Sequence, residues 1–125
     1  ASPFYVKEDI PEHKIEKARS VFGITPTIKG YKEIMNMYKD LEIIYESRKD
    51  IVKETNEEIN YYVECTTLKA CNELEITDKN VYSAIFKRLK LIKEMSNELR
   101  PYQAYSVLVL RYRKDIFPRR LVELF

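Results

Sequence analysis

Residues 31–45 read YKEIMNMYKDLEIIY, and their positions Ile34, Tyr38, Leu41 and Tyr45 recur at intervals of three and four. A helix turns once in about 3.6 residues, so this spacing gathers all four on one stripe with charged residues between them. The stretch is expected to be a core-facing helix. A second stripe, Ile59, Tyr62, Val63 and Thr66, follows at similar intervals, and the polar run Glu54-Thr55-Asn56-Glu57 is the expected break or bend between the two. The pattern leaves open whether residues 31–71 form one helix or two.

Downstream, Thr77 and Asp78 are N-cap candidates, because a short side-chain oxygen satisfies the free N–H groups of a first helical turn. Val81, Ile85, Leu89, Ile92 and Leu99 keep one face after them. Arg100 before Pro101 marks the stop, since proline disfavours helical geometry in its predecessor. Tyr105, Leu108, Tyr112 and Ile116 define a fourth helix ended by Phe117-Pro118, and Pro118–Phe125 is expected to form a short amphipathic helix. Upstream, Pro3, Pro11, Gly23, Pro26 and Gly30 cut residues 1–30 into short pieces, an N-terminal arm that carries at most one short helix, about Glu12 to Phe22. The expected fold is all-α: an arm over 1–30, then a helical domain over 31–125 with about four helices in a small irregular bundle.

Composition fits one modest domain. The 125 residues are 45% hydrophobic and contain two Gly, five Pro, ten Tyr and no Trp. Leu, Ile, Lys and Glu favour helices over turn-rich sheets. A formal charge of +2 with 34% charged residues provides no global field toward nucleic acid or an anionic membrane. The longest apolar run, Val107–Leu110, is far too short to span a bilayer, and no targeting signal opens the chain. Cys65 and Cys71, six apart on a helix, fall on different faces, which suits free thiols in a reducing compartment.

No constellation of residues asks for catalysis. His13 is the single histidine, without a nearby nucleophile, and one His with two ill-spaced Cys cannot make a tetrahedral zinc site. Asp40, Glu42, Glu46, Asp50 and Glu54 make an acidic row, but Arg48, Lys49 and Lys53 interrupt it, as on a solvated helix face. Arg111, Arg113, Lys114, Arg119 and Arg120, interleaved with Tyr102, Tyr105 and Tyr112, form the one patch that invites a partner. It suits a protein interface, where Tyr and Arg are enriched; the alternative is a small helical nucleic-acid-binding regulator using this basic quarter.

Several stretches resemble one family in order along the chain. Gly30-Tyr31-Lys32 through Tyr38-Lys39-Asp40-Leu41 is similar to the glycine, aromatic, basic segment and aromatic-Asp-Asp-Leu motif of the ubiquinol-cytochrome c reductase binding protein family, subunit 7 of mitochondrial complex III. Asp50-Ile51 with Lys53-Glu54, Ala70 with Leu74, Arg88-Leu89-Lys90, Glu94-Met95-Ser96 and Pro101 resemble later motifs, and together these cover about half the chain. Lys39 stands in place of the first Asp, Glu73 and Glu75 in place of the Arg and Pro of an Arg-Leu-Pro element, and residues between Thr55 and Lys69 would be an insertion. The resemblance implies an all-helical, non-catalytic structural and assembly subunit without cofactor. It would be peripheral on the matrix side of the mitochondrial inner membrane and packed against cytochrome b and the core proteins, with no small-molecule substrate. The expected interface residues are Tyr38, Asp40, Leu41, Arg88, Lys90, Pro101, Arg111 and Tyr112.

Overall fold

The structure is a computed structural model that describes residues 1–113. It is not all-α. Four helices accompany a three-stranded antiparallel sheet: β1 (Phe4–Val6), α1 (Glu12–Phe22), α2 (Tyr31–Met35), β2 (Glu42–Asp50), α3 (Asn56–Glu73), α4 (Lys79–Leu99) and β3 (Gln103–Arg111). The described chain divides into two units that interleave along the sequence, one holding residues 1–9, 27–51 and 102–113, the other residues 10–26 and 52–101. An arm followed by a helical domain is therefore not how the chain partitions.

The first unit is built on the sheet, in strand order β1-β3-β2. Here the expected helix over 31–45 gives way to a single α-helical turn and a half, a 3-10 turn over Asn36–Tyr38, and then β2. The physical reason lies across the sheet. Ile43 and Tyr45, β-branched and aromatic, oppose Leu110 and Val109, and Glu46 and Ser47 carry the pairing on to Leu108 and Val107, within a run that strands favour. The expected fourth helix is likewise β3, and its burial alternates with period two: Ala104, Ser106 and Leu108 are buried while Val107 and Val109 are exposed. Leucines and tyrosines three and four apart read as a helical stripe only while this alternation is overlooked. Ile116 and the expected helix over 118–125 lie outside the described residues.

The buried face of the sheet packs Tyr5, Ile34 and Ala104 together, with Tyr31 laid against them. Tyr5 and Tyr31 meet edge to face with ring centroids 5.1 Å apart. The polar atoms on this face are partnered: the Ser106 hydroxyl lies 3.3 Å from a Glu46 carboxylate oxygen and 3.5 Å from the Tyr5 hydroxyl.

The second unit is helical. In α3 the buried residues are Ile59, Val63, Thr67 and Cys71, spaced by four so that one stripe faces inward, and the Thr67 hydroxyl satisfies itself on the Val63 carbonyl at 2.6 Å. Helix α4 starts at Lys79 behind Asp78, whose carboxylate accepts from the Asn80 N–H at 2.8 Å, and buries Met95 and Leu99. Helices α3 and α1 both pack on α4. The run 54–57 is a boundary: Thr55 caps α3 by accepting from the Glu58 N–H. At the far end of α3, Glu75 takes a left-handed φ of 54° while the Ile76 N–H reaches back to the Cys71 carbonyl at 2.9 Å. Proline, with φ fixed near −65°, could not stand there. The departure from Arg-Leu-Pro at this position is thus built into the backbone.

Candidate interaction site

The residues expected at an interface divide between the two units. Tyr38, Asp40 and Leu41 lie in and after the 3-10 turn that leads into β2, with Asp40 exposed; Arg111 ends β3 and Tyr112 follows it. Arg88 and Lys90 are on α4 and Pro101 follows it, in the helical unit. Arg88 donates to the Val21 carbonyl at the end of α1, and Lys90 lies 3.9 Å from Glu94 on its own helix. These two side chains therefore serve contacts inside the helical unit. Arg111 faces Glu42 at 3.8 Å, so the basic quarter is partly neutralised where it is described; Lys114, Arg119 and Arg120 lie outside the described residues.

The acidic row is not a row. Glu46 and Asp50 stand on a strand, and each has its own cation: Asp50 pairs with Lys7 at 3.0 Å and Glu46 with Arg48 at 3.0 Å, while Glu54 belongs to the helical unit. Among the described residues no group of three or more His, Cys, Asp or Glu could hold a metal ion. His13 is exposed on α1, and both cysteines are free, Cys65 exposed and Cys71 buried. No helix of the described residues is long and apolar enough to cross a membrane.

Two surfaces of the sheet unit remain. The first is an open cleft of about 640 Å³ walled by Tyr5, Lys7, Tyr31, Arg48, Asp50 and Ala104 among others. At its edge the Tyr31 hydroxyl donates to Glu46 at 2.6 Å, and the Arg48 guanidinium lies 3.7 Å from the centre of the Tyr31 ring. The Tyr31 hydrogen bond is the largest cause holding the Glu46 carboxyl below its usual range, with Arg48 and Ser106 adding to it against burial. Burial, then Glu46, pushes the Tyr31 phenol up. A carboxylate made harder to protonate beside a phenol made harder to deprotonate is poorly matched to proton transfer near neutral pH. The cluster fastens α2 to β2 instead.

The second surface is the opposite face of the sheet. Residues paired across antiparallel strands share a face, so Phe4, Tyr105, Val107 and Val109 lie with Lys49, Ser47 and Tyr45 on the side away from Ala104, Ser106 and Leu108. Apolar groups dominate it and stay in solvent: Phe4 is 60% exposed, Tyr45 55%, Val109 49% and Val107 37%. Phe4 and Tyr105 meet with their rings tilted by 44° and their centroids 5.8 Å apart. Residue-level periodicity missed this face, because it exists only once β1 and β2 flank β3; the signal available in sequence was the alternation through residues 104–110.

Comparison with known proteins supports this fold. The chain is similar to the crystal structure of MccD protein, with a TM-score of 0.64 over 90% of this chain and 16% identity. At that identity the likeness is one of fold. The chain spans 45% of the length of that protein. No family model and no curated protein matches the chain.

Proposed function

We propose that the chain is a non-catalytic protein-binding module that docks a partner on the outer face of its sheet. The observation carrying this is the contiguous exposure of Phe4, Tyr45, Val107 and Val109 on one side of three paired strands, beside a half-buried Tyr105. Exposed apolar groups gathered on one face, with aromatics among them and charge at the rim, are the make-up of a protein-docking surface. Lys49 sits on the same face, so the fitting partner is an apolar protein segment with a carboxylate opposite that lysine.

Membership of complex III and binding of nucleic acid draw no support from this geometry. Of the stretches that carry the family resemblance, Tyr38 to Leu41 lies in and after a 3-10 turn and Asp50 ends a strand, where that family implies helices, while Arg88–Lys90 and Glu94–Ser96 do lie on a helix; Arg111 of the basic quarter already faces Glu42.

Photo-crosslinking tests the proposal. With a photoreactive amino acid at position 45 or 109, adducts to one protein are expected from cell extract; Val107→Asp should abolish them, and the same group at exposed Lys69 on α3 should give none. Equal labelling at Lys69, or adducts indifferent to Val107→Asp, would reject it.

A further inference from the structure

A sheet ordered β1-β3-β2 leaves one long strand, β2, with an outer edge that no described strand pairs with. The direction of its backbone groups follows from β3. The N–H groups of Ser106 and Leu108 donate toward β1, to the carbonyls of Pro3 and Ala1, so the intervening Tyr105, Val107 and Val109 turn theirs toward β2. Their partners Lys49, Ser47 and Tyr45 are thereby used, and the N–H and C=O groups turned to the outer edge, where no described strand pairs, belong to Glu46, Arg48 and Asp50. An irregularity at Ile44 limits the regular edge to residues 45–50.

We infer that this edge pairs with β2 of a second copy, antiparallel and centred on Ser47. In a two-fold contact the residue on the axis meets its own copy and residues equally spaced on either side of it meet each other, so charge decides the register. Centring on Ser47 sets Glu46 against the second copy's Arg48 twice, uses the outward backbone groups of both, and lays Tyr45 opposite Lys49. Centring on Glu46 or Arg48 opposes like charges, and a shift toward Asp50 sets Lys49 against itself. Registers between these oppose an outward backbone group to an inward one and close no ladder. The product is a six-stranded sheet whose outer apolar faces run on across the two-fold axis. The pairing uses the edge of the sheet and leaves the outer face open, so it goes beyond the docking proposal and stands or falls separately.

Ser47 then faces its own copy in a pair without backbone hydrogen bonds, where α-carbons sit about 4.5 Å apart, within reach of a disulfide. In the full chain with Cys65→Ser, which removes the exposed native thiol, Ser47→Cys should oxidise to a covalent dimer. Lys49→Cys alone should not, whereas Lys49→Cys mixed with Tyr45→Cys should cross-link. Sedimentation should show wild-type dimer rising with concentration, weakened about tenfold or more by Glu46→Arg and restored by Glu46→Arg with Arg48→Glu. Ser47→Cys cross-linking no faster than Lys69→Cys on α3, or a wild-type chain monomeric at every concentration, overturns the inference. Cross-linking of position 47 in cell extract to a different protein and not to itself also overturns it, assigning the edge to a foreign strand. Photo-crosslinks from positions 45 and 109 surviving in such a monomer would leave the docking proposal standing.

Discussion

Ile59→Ala is expected to destabilise the chain by about 2–5 kcal/mol in urea unfolding, the range for emptying a closed site in a core. Ile59 is 2% exposed and heads the α3 stripe that continues through Val63, Thr67 and Cys71. Removing three carbons there forfeits their transfer out of water and leaves a cavity between helices that pack at fixed distance. Two residues along, Tyr61 is 72% exposed, so Tyr61→Ala should change stability by less than about 0.5 kcal/mol. Equal losses for the two would mean that the inward stripe of α3 is misassigned.

The second large effect is expected at Glu54. Its carboxylate accepts from Lys93 at 2.8 Å and Arg100 at 2.5 Å, its backbone N–H and C=O both bond the Asn97 side chain, and Arg100 also holds the Val52 carbonyl. One acidic residue thus ties the segment before α3 to the end of α4. All three charged side chains are mostly buried, 18–25% exposed, which places the network between a weak surface pair and a costly buried one. Glu54→Gln keeps the shape and leaves two cations facing each other, a loss of about 1–3 kcal/mol near neutral pH. The Lys93 hydrogen bond is the main cause that holds the Glu54 carboxyl below its ordinary 4.5, with Arg100 assisting and burial opposing. A lowered native pKa contributes stability above the unfolded value and loses it as pH falls through the native one. The gap between wild type and Glu54→Gln should accordingly be widest near neutrality and close on acidification; a gap that stays constant into acid would refute the ion network as its source.

What could be read from sequence was local punctuation. Pro11 and Gly23 bracket α1, where the Gly23 N–H at φ 75° closes on the Arg19 carbonyl, and Asp78 and Pro101 bracket α4. Caps and breakers act through the nearest turn of backbone, so they survive without knowledge of the partner element. The strands were not legible in that way. Tyr31–Tyr45 meets the helical template, yet residues 42–50 become a strand because residues 103–111, some sixty positions on, offer a matching apolar edge. Pairing at that distance is decided by tertiary contact, which routinely overrides local preference. The interface residues suffered for the same reason. Tyr38, Asp40 and Leu41 were placed on a helix face that does not form, while Phe4, Val107 and Val109, which share the exposed face, come from two strands distant in sequence.

Everything proposed for the sheet unit depends on β2 and β3 being paired strands with Tyr45, Val107 and Val109 on one side. The direct test is a nuclear Overhauser spectrum of the chain in solution. Glu46 with Leu108 and Arg48 with Ser106 are opposed without hydrogen bonds between them, the arrangement that brings α-carbons to about 4.5 Å. Strong Hα–Hα cross-peaks are therefore expected for both pairs. Their absence, with an unbroken series of sequential amide–amide cross-peaks from residue 31 through 50, would mean a continuous helix and contradict the account.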